Sequence, residues 1–280
     1  VSNSFLPRQN AAELEGGDAM KQKRSMIALA VVSVWALSMP MSHAVDFTDA
    51  KGDDKGPGSY TYPTDSVYKT GSFDLTKLKV NKSGNAVDFV VDVNSSLEDP
   101  WGMGVGFAVQ QVFVFIKNKD GGYTDVPPGL NVQFAKGHEW NKLVILSPQK
   151  KGRVLGEATT KAAKFGADIV VPNSTRGSNR SIKGSVPLSD LGGDGNVDGW
   201  SYQVVMQSNE GFPEPDSLLA RKVNEYEGQH RWGGGHDGNC DPHVMDVLES
   251  ADASQKDQLA YECGPNGESV KMATLKMIKK

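Results

Sequence analysis

The sequence predicts an all-β protein, an antiparallel β-sandwich of immunoglobulin-like or jelly-roll style with short helices near the C-terminus. Three observations predict it. Short apolar runs alternate with period two, Gly, Asn, Asp and Pro separate the runs, and one run is apolar on both faces. The clearest strand sets Val87, Phe89, Val91 and Val93 on one face against Asp88 and Asp92 on the other. Turn residues at 81–85 precede it, so together with 73–80 it makes a hairpin. Residues 107–116 carry Val112, Val114 and Ile116 on one side and Phe113 and Phe115 on the other, which predicts a central strand covered on both sides. Further strands are expected at 132–134, 143–146, 182–188 and 200–206. Residues 150–166 read as a short helix or an irregular crossing. Residues 243–249 and 254–263 read as helical, and 270–278 as a returning final strand.

The 280 residues allow one large β-domain, and no internal repeat or linker divides 60–280. Thirty Lys and Arg against 34 Asp and Glu give no basic excess, which argues against a nucleic-acid partner. The N-terminal region has the order of a secretory signal: basic Met20-Lys21-Gln22-Lys23-Arg24, an apolar run at 26–37, Pro40, then Ser42-His43-Ala44. Cleavage is expected after Ala44, with 1–19 an upstream extension from a mis-assigned start and 20–44 the signal peptide. The apolar run is short for a membrane span, so an uncleaved anchor is the lesser alternative and no span is expected after cleavage. This predicts a periplasmic or extracellular protein. Residues 45–58, rich in Asp, Lys and Gly, read as a flexible leader to a domain at 59–280.

Export makes a disulfide between Cys240 and Cys263 the expected state, since an oxidising compartment permits it. The alternatives are two small buried thiols or pairing between chains. No Cys-x-x-Cys-His is present for covalent haem, and no His pairing has zinc-finger spacing.

Two loops carry calcium-like patterns. In the stretch from Trp232 to Leu248, Asp237, Asn239 and Asp241 place oxygens at alternate positions, with Asp246 further on. The competing explanation is an Asx-rich turn that caps a helix at Asp241-Pro242. Asp194, Asn196 and Asp198 match the opening of an EF-hand loop, but Val205 stands where its bidentate Glu belongs, which favours a turn between strands.

No enzyme is indicated. Glu210, Glu214 and Asp216 lie close in sequence, yet spacing in a loop does not establish the carboxylate separation that glycoside hydrolysis needs. Ser181, Ser185, His138, His230, His236 and His243 form no Gly-x-Ser-x-Gly elbow or other nucleophile signature. Aromatic side chains are the natural platforms for the apolar faces of sugar rings. Trp140 and Trp200 open apolar strands and are expected in the core, whereas Trp101 and Trp232 lie in Gly-rich loops and are the carbohydrate-binding candidates.

The combination resembles a known family. Its pieces are Phe73-Asp74-Leu75 through Asp99-Pro100-Trp101, Val112-Phe113-Val114-Phe115-Ile116 with Asp120-Gly121-Gly122, and Pro127-Pro128-Gly129-Leu130-Asn131-Val132. They continue with Glu139-Trp140, Gly199-Trp200-Ser201-Tyr202, Asp216-Ser217-Leu218-Leu219-Ala220-Arg221 and the Trp232–Leu248 stretch. These resemble the C-terminal module of glucodextranase and pullulanase-type enzymes, related to DOMON domains and family 9 carbohydrate-binding modules. The resemblance implies a β-sandwich that binds a polysaccharide or cell-surface glycan, often alongside calcium, and contributes no catalytic groups. An exported protein partner is also compatible with it. DOMON-like sandwiches include carriers of non-covalent haem b in exported electron transfer, which is the alternative function. Met103, Met206, His138 and His236 are the candidate axial ligands, and no spacing singles out a pair.

Overall fold

The computed structural model describes residues 43–280. The expected upstream extension at 1–19 and the expected signal segment, apart from its last two residues, lie outside the described residues. In chain order the elements are β1 (His43–Thr48), β2 (Leu75–Ser83), β3 (Ala86–Val93), β4 (Gln110–Lys117), β5 (Val132–Phe134) and β6 (Lys142–Leu146). Helix α1 (Lys151–Lys161) and a 3₁₀ segment (Ala163–Asp168) lead to β7 (Ile169–Val170), β8 (Thr175–Ser178), β9 (Ser181–Pro187) and α2 (Leu188–Leu191). Then come β10 (Ser201–Ser208), β11 (Asp246–Val247), α3 (Gln255–Gln258), β12 (Glu262–Cys263), β13 (Ser269–Lys271) and β14 (Ala273–Leu275).

Two five-stranded sheets, β1-β2-β3-β9-β8 and β11-β10-β4-β6-β7, pack face to face. Most pairings are antiparallel; β7 on β6 and β14 on β5 are parallel. The predicted hairpin is present, closed by Gly84-Asn85 between the paired residues Ser83 and Ala86, with Gly84 at φ +57°. That left-handed φ is one that glycine adopts without steric cost.

The inner faces explain the sequence pattern. Val87, Phe89, Val91 and Val93 of β3 meet Val112, Val114 and Ile116 of β4 in one core. The outer face of the first sheet is polar, with Lys79 and Asp92 3.6 Å apart across β2 and β3. The second sheet is covered outside as well. Phe113 and Phe115 pack there with Trp140, Val154 and Ala158 of α1, Phe165 and Leu275 in a second core. The expected central strand is therefore β4, buried on both faces because two layers cover it. Residues 150–166 resolve into α1 and the 3₁₀ segment, and Glu157 braces α1 by pairing with Arg153 and Lys161.

Three expectations are corrected. Residues 243–249 are not helical: 243–248 are buried throughout, and the chain is drawn along β10, with Met245 N donating to Met206 O (3.0 Å) and Leu248 N to Val204 O (3.0 Å). A short apolar run supports either strand or buried helix, and the neighbouring ladder decides here. Within 254–263 only α3 is helical, capped by Ser254, whose hydroxyl accepts from Asp257 N, and β12 follows. The segment 45–58 is no flexible leader. Its first residues belong to β1, paired with β2 from His43–Lys82 to Thr48–Lys77, and Gly56 N donates to Met245 O (2.8 Å).

A third core explains that ordering. Tyr60, Tyr68, Phe73, Val109, Val223, Trp232 and Met245 pack together, with Tyr62 and Trp101 against them. Apolar partners at 60–73 thus anchor the acidic stretch that precedes them. At the other end of the sandwich, Ile278 bridges to Tyr202, whose ring lies 5.7 Å from Phe47, and Lys280 sits over the Phe47 ring at 5.9 Å.

Candidate functional site

Trp101 is set by its own turn. Asp99 accepts hydrogen bonds from Met103 N and Gly104 N, both at 2.7 Å, which holds the loop with the indole half-buried beside Tyr68. Beside it opens a cavity of about 410 Å³ lined by Trp101, Met103, Gln149, Asn209, Glu210, Gly211, Phe212, Arg221 and His230. Phe212 is 96% exposed at its rim. Its backbone is nonetheless held: Phe212 N donates to Glu210 Oε1 (2.9 Å) and Arg153 donates to Gly211 O (3.2 Å).

The polar wall is a connected network. Arg221 pairs with Glu210 Oε2 at 3.0 Å and donates to His230 O at 2.6 Å. Gln149 donates to Asn209 Oδ1 (3.2 Å), whose amide in turn donates to Ala108 O (2.9 Å). Glu210, Phe212, Arg221 and His230 also line an adjoining hollow of about 250 Å³ that contains Glu214, Lys222 and Arg231. An aromatic surface next to fixed amide, carboxylate and guanidinium groups suits a ligand with apolar faces and hydroxyl edges.

Trp232 does not belong to this surface. Its side chain is fully buried, 4.4 Å from Tyr62 and 5.1 Å from Phe73 between ring centroids. The glycines after it serve close packing of the chain on itself: Gly234 has φ +81°, and a Cβ there would meet Ser59 O at 2.2 Å. Of the two tryptophans expected to bind sugar, the structure therefore places Trp101 at a cavity and withdraws Trp232 into the core. Trp140 and Trp200 are buried.

The residues of the calcium-like loops are engaged by separate partners. Asp237 Oδ1 accepts from Glu225 N (3.0 Å), Asn239 Oδ1 meets His243 Nε2 (2.8 Å), and Asp241 Oδ2 accepts from Tyr60 OH (3.2 Å). Burial pushes the Asp241 carboxyl up to about 6. Asp194 Oδ1 accepts from Asn196 N (2.9 Å) and Trp200 Nε1 (3.0 Å), so Asp194 and Asn196 form an Asx turn that carries Asp198 toward β10. Of the haem-ligand candidates, Met206 is buried in the sandwich core and Met103 lines the cavity. His138 accepts from Met277 N (3.0 Å) and His236 from Gly238 N (2.8 Å).

Asp246 is elsewhere, fully buried and grouped with Asp49 and Asp53, one carboxylate oxygen of each lying within 4.8 Å of the others. Desolvation and the neighbouring carboxylates push Asp49 up to about 8 and raise Asp246 and Asp53 as well. Cys240 and Cys263 form a disulfide with Cα atoms 5.4 Å apart.

Sequence reasoning missed Phe212, Arg221 and His230 as cavity residues, and Asp49 and Asp53 as partners of Asp246. Phe212 stands alone between Gly211 and Pro213, an exposed-loop context that was a usable signal. The acidic stretch itself holds too few apolar residues to signal packing, because its anchors lie further along the chain.

The described residues thus define a β-sandwich binding module, with a shaped aromatic and polar cavity beside a loop cluster. The chain belongs to the family of the C-terminal, SLH-like binding module of glucodextranase, whose model matches residues 44–277. That family is a binding module rather than a catalytic domain. No curated protein matches the chain. No helix among the described residues is long and apolar enough to cross a membrane.

Proposed function

We propose that this chain is an exported, non-catalytic module that recognises a polysaccharide or cell-envelope glycan in the cavity beside Trp101. The observation that carries the proposal is the juxtaposition of Trp101 and Phe212 with the braced Glu210–Arg221 pair on one cavity. Trp101 and Phe212 offer apolar surface to the C–H face of a sugar ring. Gln149, Asn209, Glu210 and Arg221 offer donors and acceptors to its hydroxyls. Membership in a glucodextranase binding-module family supports a carbohydrate ligand. The signal-like order of residues 20–44 and the disulfide fit an exported protein.

A glycan array followed by product analysis on any hit tests the proposal. Binding without turnover, lost in Trp101→Ala and Phe212→Ala variants that keep their fold, is the expected result. Turnover overturns the non-catalytic reading. Met103 and His230 also line this cavity, which favours non-covalent haem as the second reading. Soret absorbance in purified protein together with no glycan binding would put it first.

A further inference from the structure

We propose that Asp49, Asp53 and Asp246 bind a hard divalent cation of the Ca²⁺ type, which clamps the acidic N-terminal stretch to β2 and β11. The site lies outside the Trp101 cavity and does not depend on what that cavity binds. Three carboxylates from distant parts of the chain send one oxygen each to within 4.8 Å of one another. Ligands of one Ca²⁺ ion, at about 2.3–2.6 Å from it, fall within such a spread.

Independent evidence comes from the orphaned oxygens. Asp246 is fully buried, its Oδ2 accepts from Leu75 N (2.6 Å), and its Oδ1 has no partner. The same division recurs around it. Asp49 Oδ1 accepts from Glu249 N (2.8 Å) while its Oδ2 is unpartnered. Asp74 Oδ2 accepts from Gly52 N (2.7 Å) and Asn94 Nδ2 (3.0 Å) while its Oδ1 is unpartnered. Asp53 Oδ1 is buried and unpartnered too.

One oxygen of Asp49, Asp74 and Asp246 is thus held by an amide donor, while a second is left bare. A buried bare carboxylate oxygen is costly, and several together are more so. Among the described residues no Lys, Arg or His pairs with Asp49, Asp53, Asp74 or Asp246. An all-oxygen anionic donor set selects a hard cation over zinc or copper. The main chain is placed to respond: Gly52 N is tied to Asp74, and Gln255 of α3 donates to Asp53 O. Asp237, Asn239, Asp241 and Asp194 have no part in this site.

Calcium titration of the full chain by calorimetry, with thermal unfolding in CaCl₂ and in chelator, tests the proposal. A rise in Tm of about 5–10 °C is expected at calcium a hundredfold above Kd. Amide hydrogen exchange across 49–58 should slow in parallel. Asp53→Asn, at a half-buried position where folding is expected to survive, should lose the calcium response, and Asp246→Asn should lose it as well. Asp237→Asn should keep it. No heat and no Tm change in millimolar calcium overturns the proposal. Full response in Asp53→Asn, or loss of it in Asp237→Asn alone, also overturns it. A Tm that ignores calcium but falls as pH rises through 8 would identify a protonated carboxyl cluster instead.

Discussion

Trp101 and His230 meet edge to face, with ring centroids 6.3 Å apart and planes at 79°. Tyr68 touches both rings, at 6.2 Å and 5.8 Å, so the cavity wall rests directly on the third core. Trp101→Ala is expected to weaken glycan binding at least tenfold while far-UV circular dichroism is unchanged, because the indole is only half-buried. Trp232→Ala, by contrast, removes a fully buried indole and should cost about 3–5 kcal/mol of stability. Denaturant midpoints and binding isotherms on both variants separate the two roles.

Arg221 ties Glu210 and His230 O in the cavity wall to β10, where its backbone N donates to Ser208 O. Arg221→Lys keeps the charge but loses the fork, so binding should weaken more than stability. Arg221→Ala should cost about 1.5–3 kcal/mol in urea unfolding.

The Cys240–Cys263 bond closes a loop with a sequence separation of 23. The chain-entropy model gives about 3 kcal/mol for such a closure. Reduction should lower Tm by on the order of 10 °C. Alkylation without reduction should label neither cysteine.

His243 Nδ1 accepts from Val223 N (3.2 Å), so the neutral ring carries its proton on Nε2, toward Asn239 Oδ1. Burial foremost, with the Lys222 charge second, pushes its pKa down to about 4. The folded state therefore binds fewer protons at this site than the unfolded chain. Stability from this group is complete above pH 6.5 and is lost as pH falls toward 4, by about 3 kcal/mol in all. Unfolding free energies of wild type and His243→Gln should converge over that window. Imidazole ¹⁵N shifts at pH 6 should show the neutral Nε2–H tautomer.

Much of the sandwich was legible in the sequence because its faces differ chemically. The alternation of β3 reports one wet face, and the unbroken apolar run of β4 reports two dry ones. Residues 243–248 were misread because a fully buried segment carries no period to distinguish helix from strand. Trp232 was misread because flanking glycines signal close backbone approach without saying to what; here it is residues 59–60. The acidic cluster was illegible for a different reason. Asp49 and Asp246 are nearly two hundred residues apart in sequence, one just past β1 and the other in β11 of the other sheet; they meet where Leu75 N of β2 donates to Asp246.

The contacts among Phe47, Tyr202 and Lys280 place both ends of the described chain at one pole of β10. Asn209, one residue past the far end of β10, lines the Trp101 cavity. Seven residues of extended chain separate Tyr202 from Asn209, roughly 23 Å. The Phe47–Tyr202–Lys280 contacts and the Trp101 cavity are thus carried at opposite ends of one strand, as far apart as its length allows.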